Sequence, residues 1–148
     1  MTLLSDKVLF IDGEAIILDK PAGLPVDAPR DGSIALENHL ASLTFGFQRW
    51  PLAVHRLDRD TSGCLLLARN PKAHKRFAAA FEAGTVEKRY VAVLEGVSAF
   101  NLRVWEPGKG WQALSGAGRD NPAGLEIELL HDTPQGPQRY RQVLGPLN

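Results

Sequence analysis

Apolar and polar positions in the first hundred residues fall into short, well-punctuated blocks. Val8-Leu9-Phe10-Ile11 and Ile16-Ile17-Leu18 are apolar runs on either side of Asp12-Gly13 and read as two strands around a turn. Lys20-Pro21-Ala22-Gly23-Leu24-Pro25 ends the second run, because two prolines and a glycine suit a loop. Leu36, Leu40, Leu43 and Phe47 then recur at helical spacing, with Ser33 placed to cap the helix and Pro51 beyond its end. Leu52 to Leu57 and Cys64 to Ala68 read as strands flanking a polar loop, Asp58 to Gly63. Asn70 followed by Pro71 marks a helix start, Phe77, Ala80 and Phe81 share one of its faces, and Gly84 suits its end. Lys88 to Leu94 alternates as a strand would, and Gly96 closes it.

The pattern fades after about residue 100. Residues 101–148 hold as many glycines and prolines as residues 1–100, so punctuation there is about twice as dense. Only Leu125 to Leu130 reads as a strand in that part, which is expected to be loop-rich or weakly specified. No repeat or low-complexity tract is present.

Composition narrows the class. With 148 residues, 44% hydrophobic and 23% charged, the chain has a globular mix and enough length for a core. Its single cysteine, Cys64, excludes an internal disulfide and a Cys-rich zinc site, and reads as a small buried residue of its strand. No apolar run approaches the roughly 20 residues a membrane-spanning helix needs. The N-terminus lacks the layout of a signal peptide, so a soluble, cytoplasmic protein is expected.

Net charge is zero, with 17 basic and 17 acidic residues, which excludes a uniformly basic nucleic-acid binder. The charge is uneven, however. From Arg49 to Arg89 nine Lys/Arg face four Asp/Glu. Such an excess suits either a solvated helix face or an anionic partner.

The densest polar cluster runs from His55 to Gly63, between two apolar blocks, and Asp58 stands out in it. A carboxylate at the rim of a sheet can act as nucleophile or base, and Arg56 or Arg59 could keep it ionised. Equally, it could cap a turn and pair with an arginine. The chain has no G-x-x-x-x-G-K-[ST] loop and no G-x-S-x-G elbow, and His39, His55, His74 and His131 lack zinc-ligand spacing. A carboxylate hydrolase would need a second acid such as Asp60 or Glu87, and the spacing selects neither.

His55-Arg56-Leu57-Asp58-Arg59-Asp60-Thr61-Ser62-Gly63 resembles the signature H-R-L-D-x-x-T-S-G of the RluA branch of the RNA pseudouridine synthases. Lys20 to Val26 is similar to that family's K-P-A-G-x-x-V segment, and Glu87 to Ala92 to its E-K-x-Y-x-A segment. These motifs lie in order within residues 7–97. The resemblance implies an α+β fold, with a mixed, mainly antiparallel sheet and flanking helices. It implies isomerisation of uridine to pseudouridine in structured rRNA or tRNA, with no cofactor and no metal. Asp58 then matches the catalytic carboxylate and Tyr90 the tyrosine that stacks on the uracil. Arg56 matches the arginine associated with opening the RNA stack. His55, Thr61, Ser62 and Gly63 become turn scaffold. Arg59, Arg69, Lys72, Lys75, Arg76 and Lys88 become candidates for phosphate contact, three of them at i, i+3, i+4 spacing on one helix.

Members of the family carry a later basic segment of the form G-R-T-H-Q-I-R. Here Lys109-Gly110-Trp111 resembles a family K-G-W, and Gln138-Arg139-Tyr140-Arg141 is basic without the Thr-His-Gln pattern. Residues 1–100 are therefore expected to be the N-terminal part of the catalytic domain, and 101–148 a divergent or truncated C-terminal part of it. The alternative is a non-catalytic remnant that binds RNA or a partner. Oligomeric state is left open by the sequence.

Overall fold

The computed structural model describes residues 3–114 and 123–145. The chain divides into two compact units, Met1–Arg89 and Tyr90–Asn148.

In the first unit, β1 (Val8–Ile11) and β2 (Ala15–Lys20) form the expected hairpin. Asp12 sets its turn, Oδ1 accepting from the Glu14 and Ala15 amides at 2.8 Å each. These bonds hold the Asp12 carboxyl below its usual pKa. With β3 (Leu52–Ala53) and β4 (Gly63–Ala68) the hairpin builds an antiparallel sheet in the order β1-β2-β4-β3. Register pairs Ile16 with Leu67, Leu18 with Leu65 and Lys20 with Gly63, so one face carries Ile16, Leu18, Leu65 and Leu67. Leu36, Leu40 and Leu43 close over that face with Val26 and Leu57. Each buried Leu or Ile contributes about 1.5–3 kcal/mol.

The segment that carries these leucines is a 3-10 helix, Leu36–Leu43, and not an α-helix capped by Ser33. Its first amides are taken by loop carbonyls: Leu36 N donates to Pro25 O (2.8 Å) and Glu37 N to Val26 O (3.2 Å). The Ser33 amide instead donates to Asp31 Oδ1 (2.9 Å). Phe47 lies beyond the helix, 40% exposed, under the Arg69 guanidinium at 3.7 Å. Helix α1 (Pro71–Glu82) has its expected start, with Asn70 Oδ1 accepting from the Ala73 amide at 2.8 Å. Gly84, at φ +68°, turns the chain away after its last residue.

The second unit holds β5 (Val97–Glu106), β6 (Gly110–Ala113), β7 (Gly124–Thr133) and β8 (Gly136–Leu144), all antiparallel, in the order β6-β5-β7-β8. Leu125–Leu130 lies in β7 as expected, but β5, β6 and β8 correct the reading of this part as loop-rich. Its glycines and prolines punctuate hairpins: Pro107-Gly108 joins β5 to β6, and Pro134 to Gly136 joins β7 to β8. On one face, buried Glu126 accepts from Arg103 Nε and Arg141 Nε at 2.7 Å each. These arginines, Arg141 foremost, hold its carboxyl below the usual range.

Two other expectations fail locally. Lys88 to Leu94 forms no strand and is exposed throughout, because no neighbour among the described residues offers it a ladder. Cys64 is exposed, since it points from β4 away from the Leu65–Leu67 face. The α+β class and the antiparallel sheets are as expected. Among the described residues no helix is long and apolar enough to cross a membrane.

Candidate active site

The site grows from the way β3 ends. The sequence suggests a strand running to Leu57, yet β3 stops at Ala53. Val54 N still donates to Leu66 O (3.3 Å), but the reciprocal Leu66 amide is taken by the His55 side chain, whose Nε2 accepts at 2.9 Å. This replaces a ladder bond and releases the backbone into a loop. The His55 ring also stacks on Phe81 of α1, with centroids 4.4 Å apart and planes 14° apart. Burial keeps its pKa low, a backbone contact with Arg56 opposes this, and the Lys88 charge adds to the lowering. An accepting Nε2 requires the neutral ring or its loss of that bond.

Leu57 then enters the core and anchors the loop from below. Asp58 follows, exposed, with its backbone carbonyl accepting from the Thr61 amide at 3.1 Å. The turn is thus closed by main chain, and the carboxylate is left over. Gly63 starts β4 at φ +111°, a conformation that disfavours any side chain and so explains a glycine after Thr61-Ser62.

Neither flanking arginine pairs with Asp58. Arg56 forms an ion pair with Asp27, and Arg59 lies 3.7 Å from Asp31. Among the described residues the Asp58 carboxylate has no ion-pair or hydrogen-bond partner. Beneath the loop lies Lys20, whose Nζ donates to the Arg59 carbonyl at 3.1 Å; burial lowers the Lys20 pKa and the Asp60 and Asp58 charges oppose that. Its side chain has no exposed surface. Sequence reasoning passed over this residue, although the alternation Ile16, Leu18, Lys20 already places it on the buried face.

The basic candidates divide sharply. Lys72, Lys75 and Lys88 are exposed, and among the described residues none forms an ion pair. Arg76 is exposed but bidentate to Glu14, at 3.1 and 2.6 Å. That pairing lowers the Glu14 carboxyl and raises the Arg76 guanidinium. Arg69 corrects the expectation of a phosphate contact. It is 8% exposed, and its guanidinium donates to the carbonyls of Asp12 (2.5 Å), Thr44 (3.1 Å) and Phe45 (3.2 Å). It clamps loops together and has no face left for RNA. Tyr90 belongs to the other unit, 64% exposed and outside any strand.

The family model described as RNA pseudouridylate synthase matches residues 14–125, past residue 97 and up to β7. An uncharacterised RNA pseudouridine synthase of Zymomonas mobilis is 58% identical over 123 residues, covering 78% of this chain and 56% of that protein. Ribosomal large subunit pseudouridine synthase C of Haemophilus influenzae is 35% identical, covering 68% of this chain and 31% of its own length. Ribosomal large subunit pseudouridine synthase D of Nitrosomonas europaea is 40% identical, covering 61% and 27%. The chain thus spans about half, or less, of the length of these relatives. Among solved structures, human RNA pseudouridylate synthase domain containing 4 superposes with a TM-score of 0.51 at 14% identity, over 98% of this chain and 60% of that one, a likeness of fold. The matched stretch contains the whole Asp58 loop and strands β2 to β6, and the chain belongs to the RNA pseudouridylate synthase family.

Proposed function

We propose that this chain isomerises uridine to pseudouridine in structured RNA, with Asp58 as the catalytic carboxylate. The observation that carries this reading is the Asp58 loop itself. Its backbone is fixed by the Asp58–Thr61 turn, the Leu57 anchor and the His55 contacts, while the carboxylate stands free and exposed. The reaction breaks the N1–C1′ bond, turns the held uracil and joins C5 to C1′; C5 then gives up its proton and N1 takes one up. Atoms balance without a cofactor. Nucleophile and base roles for Asp58 both need an ionised carboxylate at the nucleoside.

The reacting nucleotide has to leave its stack. Arg56 can fill the vacated place, because its pair with Asp27 is a surface one, 75% and 42% exposed, and such pairs are worth only about 0–1 kcal/mol. Tyr90 supplies the ring that stacks on the uracil. Lys72, Lys75, Arg76, Lys88 and Arg59 supply phosphate contacts. Residues 1–100 and 101–148 serve as parts of one catalytic domain, in the cytoplasm. The names of the relatives favour ribosomal over transfer RNA as the substrate. The competing reading is a remnant that binds RNA without turnover.

Incubating the chain with bulk RNA from a strain lacking such enzymes tests this. Pseudouridine in the nucleoside digest is expected. Free uracil would show a hydrolase, and RNA bound but unchanged would show the binding remnant; either result overturns the proposal.

A further inference from the structure

We propose that the hollow between β3 and the start of α1 is a second RNA site, remote from Asp58, that takes one unpaired base against Trp50 with its phosphate beside Arg49 and His74. The inference rests on the reading that this chain acts on RNA. The hollow holds about 200 Å³, and Arg49, Trp50, Arg69, Asn70 and His74 are among the residues that line it. It is smaller than the roughly 300–1,000 Å³ of pockets that enclose a whole drug-sized ligand. It therefore admits one flat ring system and leaves the rest of its ligand outside.

The lining selects the ligand. Trp50 is 56% exposed and offers an open aromatic surface. Every charged side chain lining the hollow is basic. Arg49 is exposed and forms no ion pair among the described residues. Arg69 is already tied to three carbonyls and adds its charge to the wall. Asn70 caps α1 through Oδ1, and its NH2 group has no partner among the described residues, so it can donate to a base carbonyl. An aromatic platform, an unpaired arginine and an amide donor are what an unstacked nucleotide uses: base face, phosphate and carbonyl edge. An apolar peptide would cover Trp50 but leave Arg49 without a counter-charge. The first turn of α1 borders the hollow, whereas Phe81 in its last turn stacks on His55 beside the Asp58 loop. Most of the length of α1, roughly 15 Å, lies between the two places. At roughly 3.4 Å per stacked base, about four or five nucleotides bridge that distance. Lys72 and Lys75 are exposed on the same helix.

The test compares binding of a uridine-rich single strand of about 16 nucleotides with binding of the same strand in a duplex. Trp50→Ala is expected to weaken the single strand at least about fivefold with its salt slope unchanged, and the duplex less than about twofold. Trp50→Phe keeps a ring and should recover most of that loss. Arg49→Ala is expected to lower the salt slope by about 1. Native single-strand affinity in both folded alanine variants overturns the site, as does an equal loss on both RNAs or a native chain that binds neither. A Trp50→Ala protein with native RNA affinity but a lower mass by sedimentation gives the hollow to a second copy of the chain, against the proposal. The two readings fail separately. RNA held through Trp50 with no pseudouridine formed defeats the catalytic reading and supports the hollow; pseudouridine formed with native affinity in both variants does the reverse. Should the variants fail to fold, native protein crosslinked to thiouridine-substituted RNA decides. Crosslinks at Trp50 or His74 support the site, and crosslinks confined to the Asp58 loop overturn it.

Discussion

The two units are held by different means. Unit Met1–Arg89 buries a contiguous aliphatic cluster, Ile16, Leu18, Leu36, Leu40, Leu43, Leu65 and Leu67, against one face of its sheet. In unit Tyr90–Asn148 the described buried positions are Val104, Gly124 and Glu126, and the strands are joined by long ladders and by the Arg103–Glu126–Arg141 cluster. The first arrangement is mostly non-directional apolar packing; the second leans on a cluster of charges. The difference teaches where a precise loop can be built. Asp58 springs from the unit whose packing holds Leu57 and His55 in place.

The largest effect that would break this comparison is a core truncation. Leu65→Ala should lower unfolding free energy by about 2–5 kcal/mol, whereas Ile127→Ala, at a half-buried site, should cost less than half as much. Urea unfolding of both variants checks this. Equal losses would show that the second unit has a core of comparable weight.

Acid separates the units further. The His55 pKa is depressed in the fold, so its contribution is complete above the ordinary histidine value of 6.5 and is lost as pH falls from there through the folded value. The Glu126 pKa is also depressed, so its contribution is complete above 4.5 and is lost only below that, through its lowered folded value. An acid titration followed by NMR should therefore show β4 and α1 amides responding first and β5 and β8 amides later. His55→Gln should erase the first step and Glu126→Gln reduce the second. A single shared step would unite the two regions.

The smallest effects concern RNA. Lys72→Ala and Lys75→Ala should each reduce the salt slope of RNA binding by about 1. Arg76→Ala should change it less, because Glu14 already holds that guanidinium. Filter binding across a salt series measures all three.

Much of the first unit was legible because its signals are local. The Asp12 turn, the Asn70-Pro71 helix start and the leucine spacing each report a hydrogen bond or a buried face within a few residues. The 3-10 helix was misread because its amides find carbonyls of Pro25 and Val26, about ten residues back. Strands β5, β6 and β8 were missed because charged and polar residues such as Arg103, Gln112, Arg139 and Arg141 interrupt the apolar alternation. In the site, the nine-residue motif announced Asp58. Only the fold shows that Arg56 and Arg59 look to Asp27 and Asp31 instead, that Arg69 is spent on carbonyls, and that Lys20 reaches the loop.

The most direct test of the account compares native chain and Asp58→Asn for pseudouridine formation and for binding on the same RNA. Asparagine keeps the size and removes the charge of an exposed side chain that has no partner among the described residues. The account predicts unchanged folding, RNA affinity within about twofold and turnover at least ~1,000-fold lower. Turnover retained in Asp58→Asn would contradict it and move the chemistry to another group.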